Sequence, residues 1–324
     1  MVSRHALAAS APRTFWGLFI FACAALSAAV VPAQEQQPRP TSAADTAFAA
    51  ADIPRAESLY YMAVRMQPRD PVAREALGGY LAMRGASRIA AVLLEEARMF
   101  GGDPARIATQ LTPLYESLGD WRALLSLPGA PLTFPRRRRV AWLAEHPPTI
   151  RADSTSLALT GTVRGDTLGR ITIRIAGRPV VAIIVARDVG VTVGPRVAGT
   201  AATHFAGDSM TIVLDSINIG AARLAMVPAT VDPSVGVAII GIGALSPMTM
   251  AFDYDKKRVY FNQLRGVGRA YTLPFFRDRG EFRVAEKAPV RWSSLASVIG
   301  AAHTGHEVGP VTIDLKAGEI RIAY

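Results

Sequence analysis

Cysteine is all but absent from this sequence. Its single copy, Cys23, lies in an apolar N-terminal run, so the chain beyond that run has no disulfide, no thiolate metal site and no cysteine nucleophile to draw on. Lysine is nearly as scarce, confined to Lys256, Lys257, Lys287 and Lys316, and the formal net charge of +10 is carried by arginine. Those arginines are scattered rather than gathered into a stripe, which argues against a nucleic-acid partner. Charged residues make up only 19% of the chain against 50% hydrophobic, enough apolar material for two modest cores and too little charge for a disordered chain.

Several catalytic signatures are missing as well. The glycines from Gly236 to Gly243 are not followed by Lys-Ser/Thr and form no phosphate cradle. Ser246, Ser293 and Ser294 lack the Gly-x-Ser-x-Gly context of a hydrolase nucleophile. His303 and His306 stand three apart in an Ala- and Gly-flanked stretch that reads as a loop, with no third ligand nearby. A surface pair is expected there rather than a zinc site, and no cofactor or metal is implied.

What is present begins with a targeting segment. Arg4 and Arg13 precede the apolar run Phe15 to Val31, and Val31-Pro32-Ala33 supplies small residues for a signal peptidase, so residues 1–33 read as a signal peptide. The alternative is a retained anchor, since the run approaches the ~18 apolar residues that begin to span a bilayer. Cleavage makes the protein periplasmic or extracellular; retention ties it to the membrane through this segment alone. A short polar linker, residues 34–40, follows.

A repeat comes next. At a shift of 34, Ala51-Asp52 falls on Gly85-Ala86 and then on Gly119-Asp120, while Ala56, Leu59 and Ala63 fall on Ala90, Leu93 and Ala97. Small residues seven apart let a neighbouring helix approach closely, and Tyr60 and Leu94 fill the gap between them. With Leu77-Gly78 and Leu81 on a first helix, Ala90, Leu94 and Ala97 on a second and Pro68 closing the unit before, residues 41–127 resemble tetratricopeptide repeats. That resemblance implies a protein-interaction domain. A generic stack of helical hairpins with the same core is the other reading, equally helical and equally non-catalytic.

Clustered prolines from Pro128 to Pro135 mark a break, and residues 128–153 read as a linker in which Arg136 to Arg139 are solvated. From residue 154 the texture changes to short segments rich in Val, Ile and Thr with Gly and Pro punctuation, predicting an all-β domain over 154–265. The expected strands are 156–163, 169–175, 180–185, 209–214, 216–219, 222–227, 249–254 and 258–262.

Across residues 156–262 the series Gly177-Arg178-Pro179, Ile183-Ile184-Val185, Gly194-Pro195-Arg196-Val197-Ala198, Ile217-Asn218-Ile219-Gly220, Ile239-Ile240-Gly241 with Leu245, and Phe252-Asp253-Tyr254 resembles retropepsin-like aspartic peptidases in order and spacing. The resemblance implies a multidomain α plus β protein, with the helical repeats followed by an acid-protease-like barrel. It also implies a catalytic Asp-Thr-Gly turn after the strand that ends at residue 185, and a groove-side turn at Ile239, Ile240 and Gly241. The catalytic turn is where the match fails. Without gaps, Val185, Ala186 and Arg187 stand on the aspartate, threonine and glycine. The chemistry needs two carboxylates about 3 Å apart sharing a proton, and valine cannot take part. A gapped register places Asp188-Val189-Gly190 on the motif instead, and a homodimer would then supply the second aspartate.

The tail, residues 266–324, reads as an added strand layer or a shortened second lobe. Its segment Gly309 to Ile322 resembles Met250 to Phe261, and both look like closing hairpins. Three functions fit these readings: a silent peptidase-like binder of a protein or extended peptide, an active endopeptidase acting through Asp188 in a dimer, or an envelope docking module.

Overall fold

The computed structural model of the chain describes residues 41–187, 189–205, 208–263, 269–287, 290–304 and 309–323. The expected signal peptide and polar linker, Asp188 and His306 lie outside the described residues.

The N-terminal region is helical: α1 (Ser42–Ala49), α2 (Ile53–Met66), α3 (Pro71–Met83), α4 (Ser87–Met99), α5 (Pro104–Leu118), α6 (Trp121–Ser126) and α7 (Phe134–Glu145). Local chemistry sets the helix starts. Asp70 and Asp103 precede prolines that have no N–H to satisfy, and their carboxylates accept from Val72 N at 2.9 Å and Ala105 N at 3.0 Å. Helices α2, α4 and α6 open at residues 53, 87 and 121, a constant spacing of 34. Two residues before each opening the backbone is left-handed, at Ala51 (φ 59°), Gly85 (φ 83°) and Gly119 (φ 70°). Gly78 lets α4 approach α3, since a Cβ there would stand 3.0 Å from Leu94 Cγ.

Residues 128–153, expected as a linker, hold α7 and the strand β1 (Thr149–Arg151). Pro135 falls in the first turn of α7, where a missing N–H costs nothing, so the proline that reads as a helix stop is a helix start. Val140 and Leu143 of α7 are fully buried in the helical core.

The C-terminal region is built on β2 (Thr155–Ala158), β3 (Thr167–Ile175), β4 (Arg178–Val185), β5 (Val191–Val193), β6 (Ala202–Phe205), β7 (Asp208–Ile219), β8 (Ala222–Val231), β9 (Ala238–Gly241), β10 (Met250–Asp253) and β11 (Arg258–Phe261). A short helix, α8 (Pro195–Ala201), interrupts them. The tail adds β12 (Ala270–Asp278), β13 (Glu281–Lys287), β14 (Val290–Ser294), α9 (Leu295–Thr304), β15 (Val311–Asp314) and β16 (Glu319–Ala323). Residue 303 thus lies in the last turn of a helix, where a loop was expected. Helix α9 buries Leu295, Ala296, Val298, Ile299 and Ala302 against the sheets, which holds the Ala- and Gly-rich segment in place.

Strands β3, β4, β9, β5, β8 and β7 close into a barrel, with β1 added beside β8 and β6 beside β7. Two of its pairings are parallel, β4 with β9 and β5 with β8. The second sheet is antiparallel, in the order β14-β13-β12-β16-β15-β10-β11-β2. The two similar hairpins meet at its centre through their first strands, Met250 opposite Ile313 and Phe252 opposite Val311. One apolar core runs through the barrel and this sheet, from Ile171, Ile184 and Ile240 to Phe252, Phe275 and Ile320.

Helical and β regions share aromatic packing. Phe276 of β12 lies 5.2 Å from both Phe48 and Trp292 and 6.0 Å from Tyr80, ring centroid to centroid. Trp292 Nε1 donates to Phe48 O at 3.1 Å. Aromatic pairs at these separations add to the burial of their area.

A candidate binding groove beside the turn after β4

The barrel's parallel pairs fix the geometry of the turn after β4. Strand β9 lies between β4 and β5, which are consecutive in sequence, so the connection between them must cross the end of β9. It does so over Gly241. Gly241 N donates to Gly190 O at 3.1 Å, and a Cβ at 241 would stand 2.1 Å from Val189 O. Glycine is required there by this close approach, since its own φ of −69° suits any residue.

Ile239, Ile240 and Gly241, expected as a groove-side turn, are instead the body of β9. The parallel pairing sets Ile239 beside Ile183 and Gly241 beside Val185. Ile240 and Gly241 are buried in the barrel and Ile239 is half-buried. A four-residue strand ending in glycine carries too short an alternation to announce itself, and its partners lie some fifty residues upstream.

Val185, the last residue of β4, pairs with Thr167 on one side and Gly241 on the other. Alternation along the strand sends Ala182 and Ile184 into the core and leaves Val185 half-buried on the opposite face. It offers no proton donor or acceptor to a substrate. Ala186 N donates to Asp166 O at 2.7 Å, and the Arg187 guanidinium donates to the Asp166 carboxylate through Nε at 2.5 Å. The Arg187 backbone also bridges to Glu281, at the start of β13. The turn is therefore tied to the tail of its own chain. Asp188, the candidate in the gapped register, is outside the described residues.

One hollow flanks this turn and a second adjoins the first. One, of about 630 Å³, lies between the helices and the barrel; Trp121 of α6 and Arg139 of α7 face Val189, Gly190, Leu224 and Val227 across it. The other, of about 620 Å³, reaches Arg88 at the start of α4 and Lys316 in the turn between β15 and β16. They share wall residues Ser117, Leu118, Ser246, Pro247 and Arg277. Together they form one groove along the junction of the helical and β regions.

Among the described residues its walls carry Arg88, Arg139, Arg277, Lys316 and Glu116, whose carboxylate accepts from Arg136 Nε at 3.1 Å and Nη2 at 2.8 Å. Arg136 and Arg139, expected to be solvated, are three apart on α7 and so share one face of it. Sequence reasoning missed Trp121, Arg139 and Arg277 as groove residues. They come from α6, α7 and β12, and only the tertiary fold gathers them.

Other polar residues singled out from sequence are occupied structurally. Ser293 Oγ donates to the Glu286 carboxylate, and Ser294 Oγ accepts from Ser297 N at 3.1 Å at the start of α9. His303 packs 4.6 Å from the Tyr254 ring, whose hydroxyl donates to Leu168 O at 2.9 Å and whose pKa is pushed up by burial. Among the described residues no cluster of three or more His, Cys, Asp or Glu could hold a metal ion.

Neither a family model nor a curated protein matches the chain. Among solved structures, it is similar to the crystal structure of a retropepsin-like aspartic protease from Rickettsia conorii. Sequence identity is 12%, the match covers 35% of this chain and 93% of that one, and the TM-score is 0.25.

Proposed function

We propose that this chain is an exported binding protein that holds an extended peptide segment of a partner protein and does not cleave it. The observation that carries the proposal is the groove beside the β4 turn. It runs past Val189 and Gly190, while position 185 at the end of β4 is valine and Arg187 is engaged by Asp166. An aspartic peptidase requires carboxylates at its turn; this turn, in the ungapped register, keeps a groove and lacks the reacting group.

The finer assignments belong to the same proposal. The regular 34-residue spacing of helix starts, with a left-handed residue before each, supports a tetratricopeptide-like helical array. The closed barrel with its straddled β9 supports a retropepsin-like domain with a degenerate turn. Export rests on the signal-like residues 1–33. A homodimer is not needed for the groove, whose walls come from one copy.

Incubation of the full chain with a denatured protein between acidic and neutral pH, with mass-spectrometric detection of fragments and fluorescence anisotropy of labelled peptides, tests the proposal. Binding without fragments is the expected result. Fragments that disappear in Asp188→Asn would establish a peptidase in place of a binder.

A further inference from the structure

The outer side of α2 pairs cations with apolar side chains that nothing in the helical core covers. Arg55, Met62, Arg65 and Met66 fall within about 100° of one another around the helix axis, and all four are exposed. Met62 is 53% and Met66 76% exposed, with Tyr61 beside them at 43%. Apolar side chains grouped in this way on a surface mark an interaction site, whereas single ones do not. The patch continues past the helix end. Arg74 of α3 donates through Nε to Pro68 O at 2.7 Å, and its guanidinium carbon stands 5.1 Å from the centre of the Phe100 ring, which draws the α2–α3 turn and the end of α4 together. Met99, 70% exposed, and Phe100 extend the apolar surface there.

The charge on this face is of one sign. Among the described residues no side chain pairs with the guanidinium groups of Arg55, Arg65 or Arg69. The carboxylates near them in sequence are engaged elsewhere. Asp52 and Asp70 cap helices, accepting from Arg55 N at 3.4 Å and Val72 N at 2.9 Å, and Glu57 accepts from the Tyr80 hydroxyl of α3 at 3.1 Å. Docking against a second copy of the same face would set arginine against arginine, so the complementary partner is anionic.

Two features favour a lipid surface over an acidic protein. Flexible apolar ends such as methionine enter the boundary of the acyl chains, while arginine keeps its stem along them and its charge at the phosphates. The second feature is covalent. The apolar run ends at Val31, and the ten residues from Pro32 to Thr41 span at most about 35 Å when fully extended. While that run is in a bilayer, as a signal or as an anchor, the start of α1 is tethered within that reach of it. No residue of α2 lines either hollow, so this face is separate from the groove and independent of what the groove holds.

We propose that the exposed face of α2, with Arg69, Met99 and Phe100 beyond its end, docks on an anionic phospholipid surface, the arginines at the phosphates and the methionines below them.

The test reads contact at α2 rather than anchoring, because the apolar run can enter lipid by itself. In the full chain carrying Cys23→Ser, an environment-sensitive fluorophore is attached at Ser58→Cys, in the middle of the stripe, and in a second protein at Val290→Cys on the edge strand β14. The probes are vesicles of phosphatidylcholine alone and vesicles with about one third phosphatidylglycerol. A blue shift at position 58 is expected with anionic vesicles, at least about fivefold smaller with neutral ones and lost as salt rises from about 0.1 to 0.5 M, with no shift at position 290. Arg55→Gln, Arg65→Gln and Arg69→Gln should each raise the anionic lipid needed for half of that shift about fivefold. Met62→Ser combined with Met66→Ser should shrink the shift itself. All five side chains are exposed, so these variants keep the fold, and thermal melts verify it.

A shift of equal size in neutral and anionic vesicles, or one that survives loss of all three arginines, overturns the proposal. Equal shifts at positions 58 and 290 overturn α2 as the point of contact. A shift produced by poly-glutamate and by no vesicle assigns the face to an acidic protein and overturns the lipid. Each of these results leaves the peptide-binding proposal standing, since that is read by peptide anisotropy and fragment detection without lipid.

Discussion

The helical and β regions are held together by opposite means. Each helix packs chiefly on the next one in sequence, so the helical core is assembled from contacts between sequence neighbours, with Ala56, Ala90 and Ala97 all fully buried. The barrel depends on long-range pairing: β4 needs β9, and β5 needs both β8 and β9, each separated from its partner by a strand pair or more. A helix in such a stack can lose one contact and keep its neighbours. A closed barrel has no such redundancy, and the connection over Gly241 shows how tightly it is drawn.

The largest effect should come where the two regions meet. Phe276 belongs to β12, yet it is buried in the helical core against Phe48 and Tyr80 as well as Trp292. Phe276→Ala should cost about 3–5 kcal/mol, the usual range for truncating a buried phenylalanine. Urea unfolding followed by far-UV circular dichroism and by tryptophan fluorescence measures it. A single coincident transition, displaced as a whole, is expected if the regions fold as one unit. Two separated transitions in the unsubstituted chain would break the comparison by making the regions independent domains.

A pair of glycine substitutions sharpens the contrast within each region. At 241 an added methyl meets the Val189 backbone oxygen at 2.1 Å, and a backbone that crosses a strand end cannot step aside. At 78 it meets the Leu94 side chain at 3.0 Å, which can turn to another rotamer, and alanine is the better helix former by about 1 kcal/mol. Gly241→Ala should therefore destabilise by about 3 kcal/mol or more. Gly78→Ala should stay within about 1 kcal/mol of the parent, because the packing cost and the propensity gain oppose one another. Equal losses at the two sites would show that the helical stack is as intolerant as the barrel.

The same contrast governs how much of the structure could be read from the sequence. The 34-residue spacing of helix starts was visible because small residues and turn positions recur with it. The hairpins β10–β11 and β15–β16 were visible because each is local. Strands β5 and β9 were not, being three and four residues long and defined by distant partners. Asp215, an exposed residue inside β7, made one long strand look like two. Helix α7 hid behind the prolines that open it. Of the candidate site, the end of β4 at Val185 was legible as a strand end from the residues around it. The groove was not, since Trp121, Arg139 and Arg277 carry no shared motif and meet only when the helices dock on the barrel.

The smallest expected effect concerns the residue two before each second helix. Gly85 holds φ 83° where L side chains are strained by about 1–2 kcal/mol, and its Cβ would stand 3.1 Å from Leu315 O in the tail. Removing glycine's unfolded-chain entropy returns about 0.4–1 kcal/mol. Gly85→Ala should thus cost about 1 kcal/mol. Ala51 occupies the equivalent position at φ 59° and carries the same strain already, but its methyl is buried in the helical core. Ala51→Gly would relieve about 1–2 kcal/mol of strain, lose about 0.8 kcal/mol of methyl burial, and add about 0.4–1 kcal/mol of chain entropy to the unfolded state. The three terms nearly cancel, so the midpoint of urea unfolding should move by less than the equivalent of about 0.5 kcal/mol, within the range of surface substitutions. A clear gain in stability would mean that the turn before α2 is packed less tightly than the turn before α4, and that the 34-residue spacing of helix starts is set by backbone geometry more than by the core.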